Sequence, residues 1–249
     1  MTPQPAKSSP TKQRYPIIDV LRGLAILMMF SYHFSFDLNY FGFIQLDFYH
    51  NPFWLNYRTL IVSLFLGLVG VSLSLATRYG FKPRAYFRRL GWLIVFAILV
   101  SIVTYIQFSD RMIFFGILHF IALASVLGLA FIPFYWLNLV FGTGLVILGT
   151  QFQNAVFNQP WLQWIGLMTH KPFTEDYVPL LPWFGVVLLG IFIGKLVFQK
   201  QPQAWLQNWQ STHPFMNTLR FGGRHSLIIY MLHQPVFMGL LYLVSLVVA

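Results

Sequence analysis

The stretch MMFSYHFSFDLNYFG carries two ionisable side chains one helical turn apart, at the end of an apolar run. His33 is followed four residues later by Asp37. A histidine can exchange a proton near neutral pH, and a carboxylate beside it can fix its tautomer and stabilise its charged form. Because two ionisable groups in one membrane helix are costly together, the pair predicts a functional site built on the His33 ring. The alternative is a histidine satisfied by a neighbouring helix, with Asp37 solvated at the helix exit.

The same run carries a second polar pair, Asp19 and Arg22, on the same helical face as the first. Each helical residue turns the side-chain direction by about 100°, so all four polar side chains fall within about 60° of one another. Asp19 and Arg22 are three residues apart and can form a local ion pair. The pair is either an anchor at the membrane boundary or a place where the guanidinium of Arg22 meets an anionic ligand such as a phosphate.

Further polar groups at membrane depth add candidates. His119 lies about two turns from the outer end of the fourth apolar run and is the second choice for a base or proton relay. In the last run, GGRHSLIIYMLHQPVF, Tyr230 and His233 share a face and are expected to bind substrate, as is Trp183 in the sixth run. Pro235 is either a structural kink or a functional seat in the last helix. No metal-ligand spacing such as His-Glu-x-x-His is present in the sequence, so no metal is expected.

The elements that must hold these residues are membrane helices. Of the 249 residues, 57% are hydrophobic and 9% are charged, against about 25% charged in a typical soluble domain. Seven apolar runs approach the ~20 residues that cross a bilayer as a helix; they cover residues 17–38, 54–77, 90–108, 112–132, 134–150, 180–198 and 226–248. Pro133 leaves almost no loop between the fourth and fifth runs, which predicts a tight helical hairpin. We therefore expect an all-α polytopic transmembrane bundle of about seven spans, with a disordered cytoplasmic tail over residues 1–13 and a single domain over residues 14–249.

Basic residues indicate how the bundle is oriented. With the N-terminus inside, 13 of the 16 lysines and arginines fall on cytoplasmic segments and three fall outside, which is the positive-inside pattern. The net charge of +10 then needs no nucleic-acid partner, because basic loops facing anionic lipid account for most of it. We expect a multi-pass protein of the inner cell membrane. The absence of cysteine excludes disulfides and an acyl-cysteine intermediate.

Four blocks of the chain, taken in order, resemble one known family. The blocks are RYPIIDVLRGLAILMMFSYHFSFDL, FFGILHFIALASVLGLAF, LPWFGVVLLGIFIGK and GRHSLIIYMLHQPV. They resemble the bacterial relatives of the heparan-alpha-glucosaminide N-acetyltransferase catalytic domain, within a wider superfamily of transmembrane acyltransferases. The resemblance implies transfer of an acetyl group from cytoplasmic acetyl-CoA to an acceptor across the membrane. It also implies a catalytic histidine within the membrane, for which His33 is the candidate, with Asp37 in support.

A rim of arginines on the cytoplasmic side agrees with this direction of transfer. Guanidinium groups bind phosphates strongly, and five arginines there are candidates for holding coenzyme A: Arg22, Arg84, Arg88, Arg89 and Arg224. His33 would deprotonate an acceptor amine or hydroxyl, or carry the acetyl group itself. The leading hypothesis is therefore an acetyl-CoA-dependent N- or O-acyltransferase acting on an extracytoplasmic saccharide or similar acceptor. A small proton-coupled transporter and a non-enzymatic membrane subunit stay open as alternatives, and so does the question of a homodimer.

Overall fold

In the computed structural model the chain forms a helical bundle, described for residues 14–107, 109–174, 176–200, 205–206 and 209–248. Its α-helices are α1 (Pro16–Tyr40), α2 (Pro52–Thr77), α3 (Pro83–Gln107), α4 (Ile117–Phe131), α5 (Trp136–Gln151), α6 (Leu180–Lys195), α7 (Pro214–Arg224) and α8 (Ser226–Val248). A π-helical turn over Leu196–Lys200 extends α6. Among the described residues there is no strand, so the all-α class is confirmed. The expected tail over residues 1–13 lies outside the described residues.

The seven predicted apolar runs correspond to seven of these helices. Five described helices are long and apolar enough to cross a membrane: α1, α2, α3, α6 with its π-helical turn, and α8. The apolar helices α4 and α5 contain only 15 and 16 residues, or about 22–24 Å of helix. They form the hairpin that Pro133 predicts, with residues 132–135 between them. The α7 helix has no counterpart among the predicted runs, because its sequence, PFMNTLRFGGR, contains no long apolar run.

The helix termini lie at two opposite ends of the bundle. The basic end, as we call it, holds α7, the N-terminal ends of α1, α3, α5 and α8, and the C-terminal ends of α2, α4 and α6. There Arg78 donates a hydrogen bond to the Tyr15 hydroxyl at 2.7 Å, and the Lys195 ammonium donates to the Ile132 carbonyl. The opposite end, which we call the far end, holds the connections α1–α2, α3–α4 and α5–α6. The chain thus alternates between two ends in the way that the positive-inside pattern requires.

Glycines bring α2 and α6 into backbone contact at the centre of the bundle. A Cβ atom on Gly190 would lie 2.2 Å from the Gly67 carbonyl oxygen, and one on Gly194 would lie 2.2 Å from Ser74 Oγ. The spacing of Gly190 and Gly194 is the small-residue pattern by which membrane helices pack closely. Fully buried side chains surround this contact: Leu66, Phe120, Ala124, Val187, Leu188 and Ile191.

The short helix α7 packs against α1 at the basic end by the same means. A Cβ atom on Gly23 would lie 1.9 Å from the carbonyl oxygen of Leu219, and a Cβ atom on Gly223 would lie 1.8 Å from the carbonyl oxygen of Asp19. The two backbones therefore touch directly, and a side chain at either glycine would force them apart. This contact sets the position at which α8 begins beside α1.

The α3–α4 and α5–α6 connections reach into the far end of the bundle. Ser101 lies six residues before the end of α3, about 9 Å along its axis, and its hydroxyl donates to the Ile113 carbonyl at 2.6 Å. The two connections are joined where the Thr174 hydroxyl donates to the Met112 carbonyl at 2.8 Å. Non-helical backbone at membrane depth is tolerated where it is buried in protein or lines a polar cavity. This level of the bundle is therefore a candidate position for a site.

Candidate active site

The rings of His33 on α1 and His233 on α8 lie against each other between the first and last helices. Their centroids are 5.0 Å apart and their planes are inclined at 65°. Phe30 stacks on His233 with centroids 5.7 Å apart and an interplanar angle of 16°, and Phe237 meets the same ring edge-on at 6.0 Å. Only 7% of His233 is exposed. Aromatic rings thus shield His233 from water, which strengthens any hydrogen bond that its ring forms there.

A backbone hydrogen bond fixes the tautomer of His233. Its Nδ1 atom lies 2.5 Å from the carbonyl oxygen of Tyr230, one turn earlier in α8. A carbonyl can only accept, so in the neutral ring Nδ1 carries the hydrogen and Nε2 carries the lone pair. Within the described part of the chain this buried Nε2 atom has no hydrogen-bond partner. His233 therefore presents a basic nitrogen that is available to a ligand.

Asp37 is bound by Gln234 of α8 and not by His33. The Gln234 side-chain nitrogen donates to Asp37 Oδ1 at 2.7 Å, so this hydrogen bond joins α1 to α8. The expected hydrogen bond from the His33 ring is not formed among the described residues, because α8 lies against this face of α1 and supplies the donor. Asp37 is 1% exposed, which rules out the alternative of a carboxylate solvated at the helix exit.

Three buried polar atoms at this place lack a partner within the described residues: Asp37 Oδ2, His233 Nε2 and Gln234 Oε1. Buried polar atoms are nearly always hydrogen-bonded in folded proteins. An unpaired group of this kind is accounted for by water or by a ligand that supplies hydrogen-bonding groups. The three atoms together define the candidate site, which we call the histidine site: His33, His233, Asp37 and Gln234.

Both ring nitrogens of His119 form hydrogen bonds with neighbouring protein groups. The Ser101 hydroxyl gives its hydrogen to the Ile113 carbonyl, so its oxygen accepts from His119 Nε2 at 3.0 Å. The Gly116 backbone N–H donates to His119 Nδ1 at 3.3 Å. Both ring nitrogens are thus engaged in holding the connection to α3, and no described contact joins His119 to His33. Within the described chain no three potential metal ligands, these residues included, are clustered.

Of the three substrate-binding candidates, Tyr230 and His233 lie together and Trp183 lies elsewhere. The Tyr230 ring lies 5.5 Å from the His233 ring, so both belong to one place. Trp183 packs against the buried core of α2, α4 and α6, and no described contact brings it to the histidines. Sequence reasoning missed Gln234, although its position beside His233 on a helix that also carries Pro235 was a usable signal.

At the basic end the buried carboxylate of Asp19 collects three arginines. Arg14 contacts it at 2.7 Å, Arg22 at 3.1 Å and Arg224 at 3.5 Å, so the ion pair predicted for Asp19 and Arg22 is confirmed. Arg22 also donates to the Ser72 hydroxyl at 2.8 Å and to the backbone carbonyl of Gly223 at 3.2 Å. The Arg22 guanidinium therefore ties α1 to α2 and α7, and its hydrogen-bonding capacity is largely used within the protein.

The other three arginines of the predicted rim lie at the start of α3. Arg84 and Arg88 line a shallow surface hollow. Arg89 lines a separate cleft of about 230 Å³ between α2, α3 and α4, where the buried Tyr86 hydroxyl has no partner within the described chain. Sites for drug-sized ligands measure roughly 300–1,000 Å³, so this cleft suits part of a coenzyme-sized molecule. The rim is thus divided between the Asp19 cluster and the start of α3.

A second histidine–carboxylate pair lies in the connection between α1 and α2. The ring nitrogen Nδ1 of His50 lies 3.2 Å from Asp47 Oδ1, and both side chains are exposed. Asp47 also accepts from the backbone N–H groups of His50 at 2.9 Å and Tyr49 at 3.0 Å. These bonds, above all the one from the His50 backbone, hold the pKa of Asp47 below its usual range. The pair has the composition of a general base but lies at the surface of the far end.

The fold and the histidine site define a class: a polytopic helical membrane protein with a buried polar site between its first and last helices. The chain belongs to the family described as heparan-alpha-glucosaminide N-acetyltransferase, catalytic, whose model matches residues 14–235. The predicted resemblance is thereby confirmed. Membership indicates a membrane acyltransferase-type function that uses a donor of the acetyl-CoA type in general. No curated protein and no solved structure matches the chain.

Proposed function

We propose that the chain is an acetyl-CoA-dependent acyltransferase of the inner cell membrane, with the N-terminus cytoplasmic. Acetyl-CoA binds at the basic end, and the acetyl group passes to an amine or hydroxyl of an extracytoplasmic saccharide or similar acceptor. The observation that carries the proposal is the contact of His33 with His233, whose Nε2 atom is buried and unpaired within the described chain. Ionisable groups placed inside a membrane bundle at this cost mark functional sites.

The reaction needs a base and a means of stabilising the charge that develops on it. The acceptor nitrogen or oxygen attacks the thioester carbon, a C–N or C–O bond forms, the C–S bond breaks and the coenzyme leaves as a thiolate. In direct transfer a histidine takes the acceptor proton, which then neutralises the thiolate. In a two-step route a ring nitrogen of His33 attacks the thioester carbon instead, the C–S bond breaks, and the coenzyme leaves as a thiolate that takes the proton released from the acetylated ring. The acceptor then attacks the acetyl carbon, the bond from that carbon to His33 breaks, and His233 Nε2 takes the acceptor proton. Asp37 stabilises the protonated ring in either route.

The polar groups at the two ends of the bundle support binding of the donor at the basic end and of the acceptor at the far end. The basic end offers Arg84, Arg88 and Arg89 to the phosphates of the donor. Among the described residues no hydrogen bond or ion pair engages these three guanidinium groups, whereas that of Arg22 is held by α1, α2 and α7. Phosphate binding by arginine is strong and frequently bidentate. The far end carries the polar connections that reach toward the histidine site, where a hydroxyl-rich or amino acceptor finds hydrogen-bonding groups.

Acetyl-CoA binding and turnover by the purified protein in detergent test the proposal. Wild type should bind acetyl-CoA saturably and should release CoA thiol, and His33→Ala should lose about 10²–10⁴-fold in turnover, the usual contribution of a positioned base. Trapping the protein with acetyl-labelled donor separates the two routes, since only the two-step route leaves label on His33. A well-folded wild-type sample that binds no acetyl-CoA at millimolar concentration contradicts the proposal.

His50 is the rival base, because its hydrogen bonds to Asp47 give it a carboxylate partner, whereas no hydrogen bond within the described part of the chain joins His33 to a carboxylate. The variant His50→Ala, assayed beside His33→Ala, decides between them. Loss of turnover in His50→Ala with turnover retained in His33→Ala would move the chemistry to the far-end surface. The acyltransferase proposal would then survive, and the histidine site would be left with a role in binding or packing.

A further inference from the structure

The carboxylate of Asp176 is held firmly in the connection between α5 and α6. Two residues before it, the Thr174 hydroxyl donates to the Met112 carbonyl at 2.8 Å. Two residues after it, the Val178 backbone N–H donates to the Phe115 carbonyl at 3.2 Å. The chain on both sides of Asp176 is thereby fixed to the connection that precedes α4. A side chain placed between two such bonds has little freedom to move.

The carboxylate itself lies at the N-terminal end of α4. Asp176 Oδ2 accepts from the Ile117 backbone N–H at 2.9 Å, where an unpaired donor and the helix dipole both favour a negative charge. A Cβ atom on Gly116 would lie 2.4 Å from this same oxygen, so a larger residue there would have to displace the carboxylate. Burial raises the pKa of Asp176, and the hydrogen bond from Ile117 opposes that rise.

The same oxygen connects the far-end connection to the histidine site. The Tyr230 hydroxyl on α8 donates to Asp176 Oδ2 at 3.4 Å. The Tyr230 ring lies 5.5 Å from the His233 ring, and the Tyr230 carbonyl accepts from His233 Nδ1. Tyr230 therefore stands between a fixed carboxylate on one side and the candidate base on the other.

We propose that Asp176 is a positioning residue on the acceptor side of the site and acts by orienting the Tyr230 hydroxyl. The inference rests on the proposed acyltransferase function. With its hydrogen directed to Asp176, the Tyr230 oxygen keeps its lone pairs for an N–H or O–H group of the acceptor. The acceptor class that fits is a small amino or polyhydroxy compound that enters from the far end and offers one hydrogen to Tyr230 and another to His233 Nε2.

Steady-state kinetics with glucosamine as the acceptor probe test this role. Asp176→Asn and Tyr230→Phe should each raise the KM for glucosamine by about tenfold, as expected for one hydrogen bond that involves a charged group. The KM for acetyl-CoA should stay unchanged, and the double variant should be no worse than Tyr230→Phe. Tyr177→Phe is the matched control. Among the described residues the Tyr177 hydroxyl donates within the connection alone, to the Gln163 carbonyl at 2.6 Å and the Met168 sulfur at 3.6 Å, so this variant should change neither KM.

Two results overturn the inference. A purely structural role predicts that both KM values and the thermal unfolding midpoint shift together, and independent roles predict that the losses of the two single variants add in the double variant. If wild type does not acetylate glucosamine, the same two variants and their double are compared by unfolding in detergent. Losses that fail to add support the Asp176–Tyr230 link, and additive losses overturn it. Absence of acetyl-CoA binding by wild type, in contrast, counts against the proposed function.

Discussion

His33 and His233, 200 positions apart in the chain, bring their rings to 5.0 Å between α1 and α8. Residues so far apart in the chain cannot be brought together by the geometry of one helix, so the contact depends on the packing of α1 against α8. The α1–α7 contact at Gly23 and the hydrogen bond between Asp37 and Gln234 hold the two helices at this distance. The site is consequently sensitive both to its own residues and to the helix contacts that assemble it.

The first prediction concerns the two histidines themselves. His33→Ala and His233→Ala should each lower acetyl-CoA turnover by about 10²–10⁴-fold while the protein stays folded, because each removes a group that exchanges the proton or holds the acetyl group. The measurement is release of CoA thiol by purified protein in detergent, together with the thermal unfolding midpoint.

His119→Ala is the matched histidine control for that experiment. Both of its ring nitrogens bind protein groups, so its loss should lower the unfolding midpoint and leave turnover per folded molecule within a few-fold of wild type, at temperatures well below unfolding. Turnover abolished in His119→Ala and retained in His233→Ala would contradict the assignment of the site to α1 and α8.

The second prediction separates the charge of Asp37 from its hydrogen bond. Asp37→Asn keeps an oxygen that can accept from Gln234 but removes the negative charge, so turnover should fall at least about tenfold with little change in unfolding. Gln234→Ala leaves a buried carboxylate without its donor and should lower the free energy of unfolding by about 1.5–3 kcal/mol. Equal stability losses in the two variants would show that Asp37 serves only to hold α1 against α8.

The third prediction concerns the backbone contact between α1 and α7. Gly23→Ala places a methyl group 1.9 Å from the Leu219 carbonyl oxygen, so the helices must separate and both stability and turnover should fall. Gly144→Ala is the control, since nothing lies within 4 Å of a Cβ atom there and alanine is preferred in a helix by about 0.5–1 kcal/mol. Unfolding midpoints in detergent should therefore move in opposite directions, and a harmless Gly23→Ala would refute the close contact.

The fourth prediction tests the orientation of the chain. Because these 249 residues contain no cysteine, single cysteines can be introduced into them and labelled without background. In intact cells Gln159→Cys at the far end should react with a membrane-impermeant maleimide, whereas Arg84→Cys at the basic end should react only after permeabilisation. The reverse pattern would place the N-terminus outside and would put the proposed donor site on the wrong side for cytoplasmic acetyl-CoA.

The sequence alone determined the membrane class, the positions of the apolar helices and one polar face. These features follow from short-range rules: apolar length fits the bilayer, Pro133 interrupts a run, and helical periodicity places Asp19 and Asp37 on one side. Both aspartates are buried in the bundle, while Leu24 and Leu27 on the other faces are 37% and 46% exposed. The ion pair of Asp19 with its neighbour could also be predicted, because three residues of helix fix its distance.

Only the tertiary structure decided which polar groups meet. Local spacing predicted a hydrogen bond between Asp37 and the His33 ring, four residues before it. The Asp37 carboxylate accepts from Gln234 instead, because a donor on a packed neighbouring helix competes with the local one. The fourth run was expected to be helical from residue 112, yet α4 begins at Ile117, since Ser101, Thr104 and Thr174 bind the backbone ahead of it. Side chains contributed from other segments cannot be placed by helical periodicity. The apolar pattern therefore determined the helices, and the long-range hydrogen bonds between them determined the site.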